Sequence, residues 1–286
     1  MSTPSGVASP SAAALALELL ESDRRYFESA ARVERLIGAV LACVPGLERV
    51  PAACVVHRVD PAVLPRDPAR WLDLVEERLG ELGCHWARLY LVGRHPQLEA
   101  MLLARGYRPQ DENGYARAVE GRPPLVTGAG QAPVELQPIT SDDDWAAKAA
   151  LHRVCGAGPD GHESDPEAWA ELERARTNAG YMRPFFIVSR GAICGAVGLA
   201  GGGTLLRLKN LVVHPSWRRM GIASAVLRRA HALAWREGWA GVGAFALAGD
   251  PCEELYRAER FEVIARQTEW MRPMALRVDF VAEIGG

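Results

Sequence analysis

The chain has 286 residues, 49% apolar and 24% charged, a balance that suits the packed core of one large or two modest domains. Lys and Arg number 33 against 35 Asp and Glu, a formal charge of -2, which argues against a nucleic-acid groove or a polybasic membrane surface and leaves room for a local anion site. No apolar run approaches the roughly 20 residues that span a bilayer. The six cysteines, Cys43, Cys54, Cys84, Cys155, Cys194 and Cys252, form no C-x-x-C pair and no zinc-finger spacing. They read as separate thiols of a reducing, cytoplasmic compartment, with no metal site.

Residues 1–14 read as a disordered leader without the basic start of a signal peptide, running into a helix. A first domain is expected over 15–120. Its clearest part is the helical stretch WLDLVEERLGELG (71–83), followed by the strand-and-turn LYLVGRHP (89–96). The Pro- and Gly-rich segment at 121–132 reads as a linker, a second domain is expected over 133–275, and 276–286 as a tail.

The second domain begins with a short strand at 135–139. Ser141 is placed to cap a helix that carries Asp142, Asp143 and Asp144 in its first turn, where the helix dipole favours acids. A Gly/Asp/His loop leads to a second helix opened by Asp165-Pro166. Strands are expected at 185–189, 193–200 and 204–213, a helix from about 219 to 236 ended by Gly238, and a strand at 241–247. A short helix from Asp250-Pro251 and a closing strand pair, 261–265 and 267–271, complete the order β-α-α-β-β-β-α-β-α-β-β.

The first domain echoes this order. With Gly83 set on Gly238 and Pro96 on Pro251, WLDLVEERLGELG falls on VLRRAHALAWREG and LYLVGRHP on FALAGDP. Leu102, five before Tyr107, falls on Tyr256, five before Phe261. The pattern reads as an internal repeat, although helix-Gly-strand-turn-Pro is common enough to recur in unrelated α/β halves.

The densest chemistry lies in HPSWRRMGIASAVL, His214 to Leu227. His214-Pro215 break a valine-ended strand, and an apolar stripe at Ile222, Val226, Leu227, Ala230, Leu233 and Ala234 marks a helix just beyond. RRMGIA therefore stands at a helix N-terminus, where the first amides lack intrahelical partners and the dipole is positive. A diphosphate accepts such N–H bonds. Gly221 admits it close to the backbone, Ala223 and Ser224 keep the next turn shallow, and Arg218 and Arg219 add charge with a fork that suits phosphate oxygens. The competing reading is a solvated arginine pair.

With these residues the C-terminal half resembles the GNAT superfamily, the Gcn5-related N-acetyltransferases. Arg218-Arg219-Met220-Gly221-Ile222-Ala223 fits the family's acyl-CoA loop Q/R-x-x-G-x-G/A. LVVHP fits the strand that pairs with pantetheine, and ELYRAERF the LY-x-x-x-GF element. The resemblance covers roughly 133–273 and implies a mixed-sheet α/β fold in which strands 204–213 and 241–247 part to admit the pantetheine arm. It implies acetyl transfer from acetyl-CoA to an amine by direct attack. Leu211, Val212 and Val213 would meet pantetheine, and Arg218 through Ser224 (Met220 and Ile222 included) the pyrophosphate. Tyr256 would protonate the leaving thiolate; its alternative is aromatic packing on a short helix.

No base is legible. TLLRLKNLVV carries no carboxylate, Glu163 and His162 are loop candidates, and His152 and His231 read as structural or exposed. Lys209 and Asn210 read as alternating faces of a strand. Gly249 stands where the family often has Asn, and Arg260 where it has Gly. In the first domain VLPRDP (63–68) replaces the phosphate loop and Leu102 the tyrosine, so a degenerate GNAT-like copy without a coenzyme site is expected. The acceptor, a small-molecule or protein amine, and the oligomeric state stay open. A non-catalytic acyl-CoA-binding regulatory module, or a donor other than acetyl-CoA, remains the alternative.

Overall fold

The computed structural model describes residues 11–64, 67–121, 133–155 and 165–274. In chain order the elements are helix α1 (Ala12–Glu28), strands β1 (Arg32–Leu36), β2 (Ala39–Cys43) and β3 (Cys54–His57), helix α2 (Pro68–Glu81), strand β4 (Trp86–Leu91), helix α3 (Pro96–Ala104) and strand β5 (Arg108–Ala118). Then come β6 (Glu135–Pro138), α4 (Asp142–Cys155), α5 (Pro166–Asn178), β7 (Met182–Ser189), β8 (Ala192–Gly202), β9 (Leu205–Val213), α6 (Ile222–Glu237), β10 (Gly241–Leu247), α7 (Cys252–Ala258) and β11 (Glu262–Pro273). The closing strand pair expected at 261–271 is one strand, because no turn residue interrupts its pairing. The leader, the tail, nearly all of the linker, and His162 and Glu163 lie outside the described residues.

Two packed units interleave along the chain. One takes the described residues of Met1–Ala30 and Gln110–Gln267, the other those of Ala31–Pro109 and Thr268–Gly286.

In the first unit β6, β7, β8 and β9 form an antiparallel ladder, β9 runs parallel to β10, and β10 pairs antiparallel with β5. The side chains of β9 alternate between two faces, as the strand period of two requires. Leu206 and Leu208 pack with Val242 and Ala244 against Val226, Leu227, Ala230 and Ala234 of α6. On the other face Leu205 meets Leu15 and Leu19 of α1. Helices α4 and α5 pack through Trp145, Ala149 and Ala170 around Phe186 of β7. Helix α4 carries a reciprocal cap: Asp144 accepts from the Thr140 and Ser141 amides at 3.0 and 2.9 Å, and Ser141 Oγ accepts from the Asp144 amide at 3.1 Å.

In the second unit β1, β2 and β3 are antiparallel, β3 is parallel to β4, and β4 pairs antiparallel with Thr268–Pro273 of β11. Trp71, Leu72, Val75 and Leu79, one face of α2, bury against Leu89, Leu102, Tyr107 and Trp270. Each unit thus takes its last antiparallel strand from the other half of the sequence.

The local geometry of the two halves matches at the positions that the repeat aligns. Gly83 and Gly238 follow α2 and α6 with φ of 73° and 80°. The Tyr107 amide donates to Leu102 O at 3.0 Å and the Phe261 amide to Tyr256 O at 2.9 Å. Gly106 and Arg260 sit in that same turn at φ 81° and 61°, so Arg260 adopts the left-handed conformation that glycine takes without a Cβ clash.

The expectation of six separate thiols needs correction. Cys43 and Cys54 face each other in the β2–β3 register and are joined by a disulfide, and Cys84 Sγ lies 4.0 Å from Cys43 Sγ. Strand pairing brings together two cysteines that their spacing gives no reason to pair.

Candidate functional site

The site starts from a break in a ladder. β9 and β10 pair in parallel only at Leu205–Gly241, Leu206–Val242 and Arg207–Gly243. Beyond Arg207, β9 continues to Val213 with β8 alone as its ladder partner, while β10 continues beside β5. Leu211, Val212 and Val213, and Phe245, Ala246 and Leu247 opposite, are all half-exposed, whereas the paired stretch below them is buried. An irregularity in the β8–β9 register accompanies the parting. The pairing shifts between Ala196 and Gly198, and Asn210 takes φ 51°. Such a bulge bends and twists its strand, and asparagine tolerates the left-handed conformation better than most residues.

Past β9, Pro215–Trp217 form a short 3-10 turn, with the Ser216 amide donating to His214 Nδ1 at 3.2 Å. The helix begins at Ile222, not at Arg218 or Arg219. Arg219 and Gly221 both adopt positive φ, 63° and 76°, and their backbone cannot join a right-handed helix. Gly221 is the N-cap. It offers no side-chain hydrogen bond, the first turn carries no acid, and nothing lies within 4 Å of where a Cβ would sit. The first amides of α6 therefore stand uncapped at the positive end of a 16-residue helix, an arrangement that takes an anion. Arg219 and Met220 are exposed, and Ala223 and Ser224 half-exposed. Arg218 turns away from the loop, donating through Nε to Val213 O at 3.1 Å and through an Nη to Cys155 O at 3.2 Å.

The aligned helix start in the second unit differs in kind. Asp67 caps α2, accepting from the Ala69 and Arg70 amides at 3.0 and 3.2 Å, and Pro68 has no N–H to offer.

Tyr256 of α7 is buried among the residues that pack on α6. Its ring stacks on Tyr115 of β5 at 4.6 Å and meets Phe261 edge-on at 5.6 Å. Burial pushes its phenol well above the ordinary tyrosine range; Cys252 adds to the rise and Arg207 opposes it. It is an oxygen that keeps its proton. Gly249, at the position often held by asparagine, donates its amide to Glu253 Oε1 at 2.9 Å, and Asn113 Nδ2 donates to the same oxygen at 2.9 Å.

The opposite face of β9 holds polar side chains that the sequence reading missed. Asp23 of α1, buried, accepts from Arg207 at 2.8 Å, Lys209 at 3.1 Å and Gln267 at 2.8 Å. Burial works to raise its carboxyl, but Lys209 and Arg207, with the Gln267 hydrogen bond, outweigh it and hold the group well below the usual range. Tyr26, one turn on, lies against Lys209 Nζ at 4.0 Å and the Arg176 guanidinium at 3.8 Å from its ring centre. Asn210 donates to Glu173 of α5, which also pairs with Lys148 of α4.

Lys209 and Asn210 are thus tied into a network, and do not simply alternate between strand faces. His152, buried beside Lys148 at 3.0 Å, is pushed down to about 3 by burial and then by that cation. His231 bonds Ala118 O at 3.1 Å. Buried Asp, Glu, Lys and Arg on helices look like a solvated face in sequence, and only the charge at Arg207 and Lys209 of an otherwise apolar strand hinted that partners were waiting.

Residues 182–262 match the family described as acetyltransferase (GNAT) domain. No curated protein sequence matches the chain. Among solved structures, a GCN5-related N-acetyltransferase from Kribbella flavida is similar at 18% identity and TM-score 0.62, over 94% of this chain and 98% of that one. Another from Sphaerobacter thermophilus gives 18% and 0.59, over 93% and 94%. A tandem GNAT protein from the clavulanic acid biosynthesis pathway gives 16% and 0.56, over 93% and 90%. At these identities the likeness is one of fold, the mixed-sheet α/β fold of these GNAT structures, and it extends over nearly the whole chain. No described helix is long and apolar enough to cross a membrane.

Proposed function

We propose that this chain, whose residues 182–262 form a GNAT domain, is an N-acetyltransferase that moves the acetyl group of acetyl-CoA to an amine. The observation that carries the reading is the parting of β9 from β10 beyond Arg207 and Gly243, beside the uncapped start of α6. A pyrophosphate suits the α6 amides, with Arg219 beside them, and a pantetheine arm suits the free edge of Leu211, Val212 and Val213. Arg218, bonded to two carbonyls, would brace the loop or swing out to the phosphate. No metal is required.

In this reading the amine nitrogen attacks the thioester carbon, the carbon–sulfur bond breaks, and an amide and a thiolate result. The amine loses a proton, and the sulfur gains one from the Tyr256 hydroxyl, whose high affinity for its proton suits an acid that must be charged with it at rest. The second unit, with α2 already capped by Asp67, carries no coenzyme of its own in this reading.

The test is release of free CoA thiol over a panel of small amines and amine-bearing peptides. Acetyl-CoA-dependent release with at least one acceptor is expected. Tight CoA binding with no release from any acceptor would turn the assignment toward a binding module.

A further inference from the structure

We propose that Tyr26, on the N-terminal helix α1, is the group that takes the acceptor's proton. This rests on the transferase reading above and concerns a residue far outside the matched family segment. Tyr26 is 3% exposed and packs in the first unit beside Lys209 and Asn210, the second and third residues of β9 beyond the end of the β10 ladder. Its ring has the Arg176 guanidinium 3.8 Å and the Lys209 ammonium 4.0 Å from its centre. Asn210 Nδ2 points to its oxygen at 3.5 Å, and Tyr181 lies 6.2 Å away, ring to ring. A phenolate at this place would be met by two cations and an amide donor.

The nearby carboxylates are already committed. Asp23 serves Arg207, Lys209 and Gln267, and Glu173 serves Lys148 and Asn210. Lys148, on α4, faces Glu173 and, one turn on, His152. Burial acts to raise the Tyr26 phenol, but Arg176, Lys209 and Asn210 together bring it below the ordinary value, while Tyr256 is displaced the other way. Two phenols pushed apart in this manner divide into an acid and a base. The step balances: the Tyr26 phenolate accepts one ammonium proton and becomes a phenol, the freed amine attacks, Tyr256 gives its proton to the departing sulfur, and the second nitrogen proton, shed as the amide forms, returns to Tyr256.

The experiment is a tyrosinate absorbance titration of the full chain, of Tyr26→Phe and of Lys209→Met, with kcat measured against pH. One of the six tyrosines is expected to ionise ahead of the rest. Tyr26→Phe removes that step and lowers kcat about 10²-fold at unchanged CoA affinity. Lys209→Met keeps the step but moves it, and the rising limb of the kcat profile, to higher pH. Identical titrations of wild type and Tyr26→Phe, or wild-type turnover in Tyr26→Phe, would overturn the proposal. An early Tyr26 ionisation in a chain that transfers to no amine counts against the transferase and leaves the proton site standing.

Discussion

Tyr256 and Tyr115 stack with ring centres 4.6 Å apart and planes 14° from parallel, so a strand from the N-terminal half of the sequence fixes the proposed acid of the C-terminal half. Aromatic stacking survives removal of a hydroxyl. Tyr256→Phe is therefore expected to keep its fold and CoA affinity while kcat falls about 10²-fold. Steady-state kinetics beside calorimetry with CoA would check this; unaltered turnover would remove Tyr256 from the chemistry.

Gly221 serves in two ways that substitutions can separate. Its φ of 76° makes alanine cost about 1 kcal/mol in stability. Gly221→Glu adds a negative charge and a long side chain beside the free amides of α6. We expect a modest thermal shift for both variants and a loss of CoA affinity of about tenfold or more only for the glutamate, an energy near 1.4 kcal/mol. Equal affinity in the wild type and Gly221→Glu would mean that the helix start does not hold the coenzyme.

One coenzyme per chain is expected. The Asp67 carboxylate occupies the α2 amides that an anion would need, whereas α6 has no capping side chain. Isothermal titration with acetyl-CoA should give a stoichiometry of about one. Two equivalent sites would contradict the reading of the second unit.

Asp23 makes stability depend on pH. Its carboxyl is depressed in the folded chain, so its contribution is complete above the unfolded value, about 3.9, and is lost as pH falls below that toward the folded value. Asp23→Asn leaves Arg207 and Lys209 without their shared anion and is expected to cost about 3 kcal/mol near pH 7. Urea unfolding should show the gap between wild type and variant narrowing in acid. A gap that stays constant from neutrality to about pH 3 would show that the carboxylate charge contributes nothing there.

Within 135–273 nearly every element was legible, as were the anion-ready helix start and the tyrosine of α7. These are local matters: apolar periodicity, a proline or glycine at an element's end, and amides left over where a helix begins. The exact start of α6 was not, because positive φ at Arg219 does not announce itself in an arginine. The bulge at Asn210 was hidden for the same reason.

Other features depended on segments far apart in the chain. Helix α1 stands near the start of the sequence, yet its Asp23 meets Arg207 and its Tyr26 meets Lys209, partners more than 180 positions away. β5 and the end of β11 each complete a sheet of the opposite half, and Cys43 finds Cys54 across a strand pair. Residue order carries the short-range rules of helix, strand and cap. Which buried charge answers which, and which strand fills which edge, is decided when the chain closes on itself, because an unpaired buried ion or an open ladder is costly and any segment of suitable shape can satisfy it.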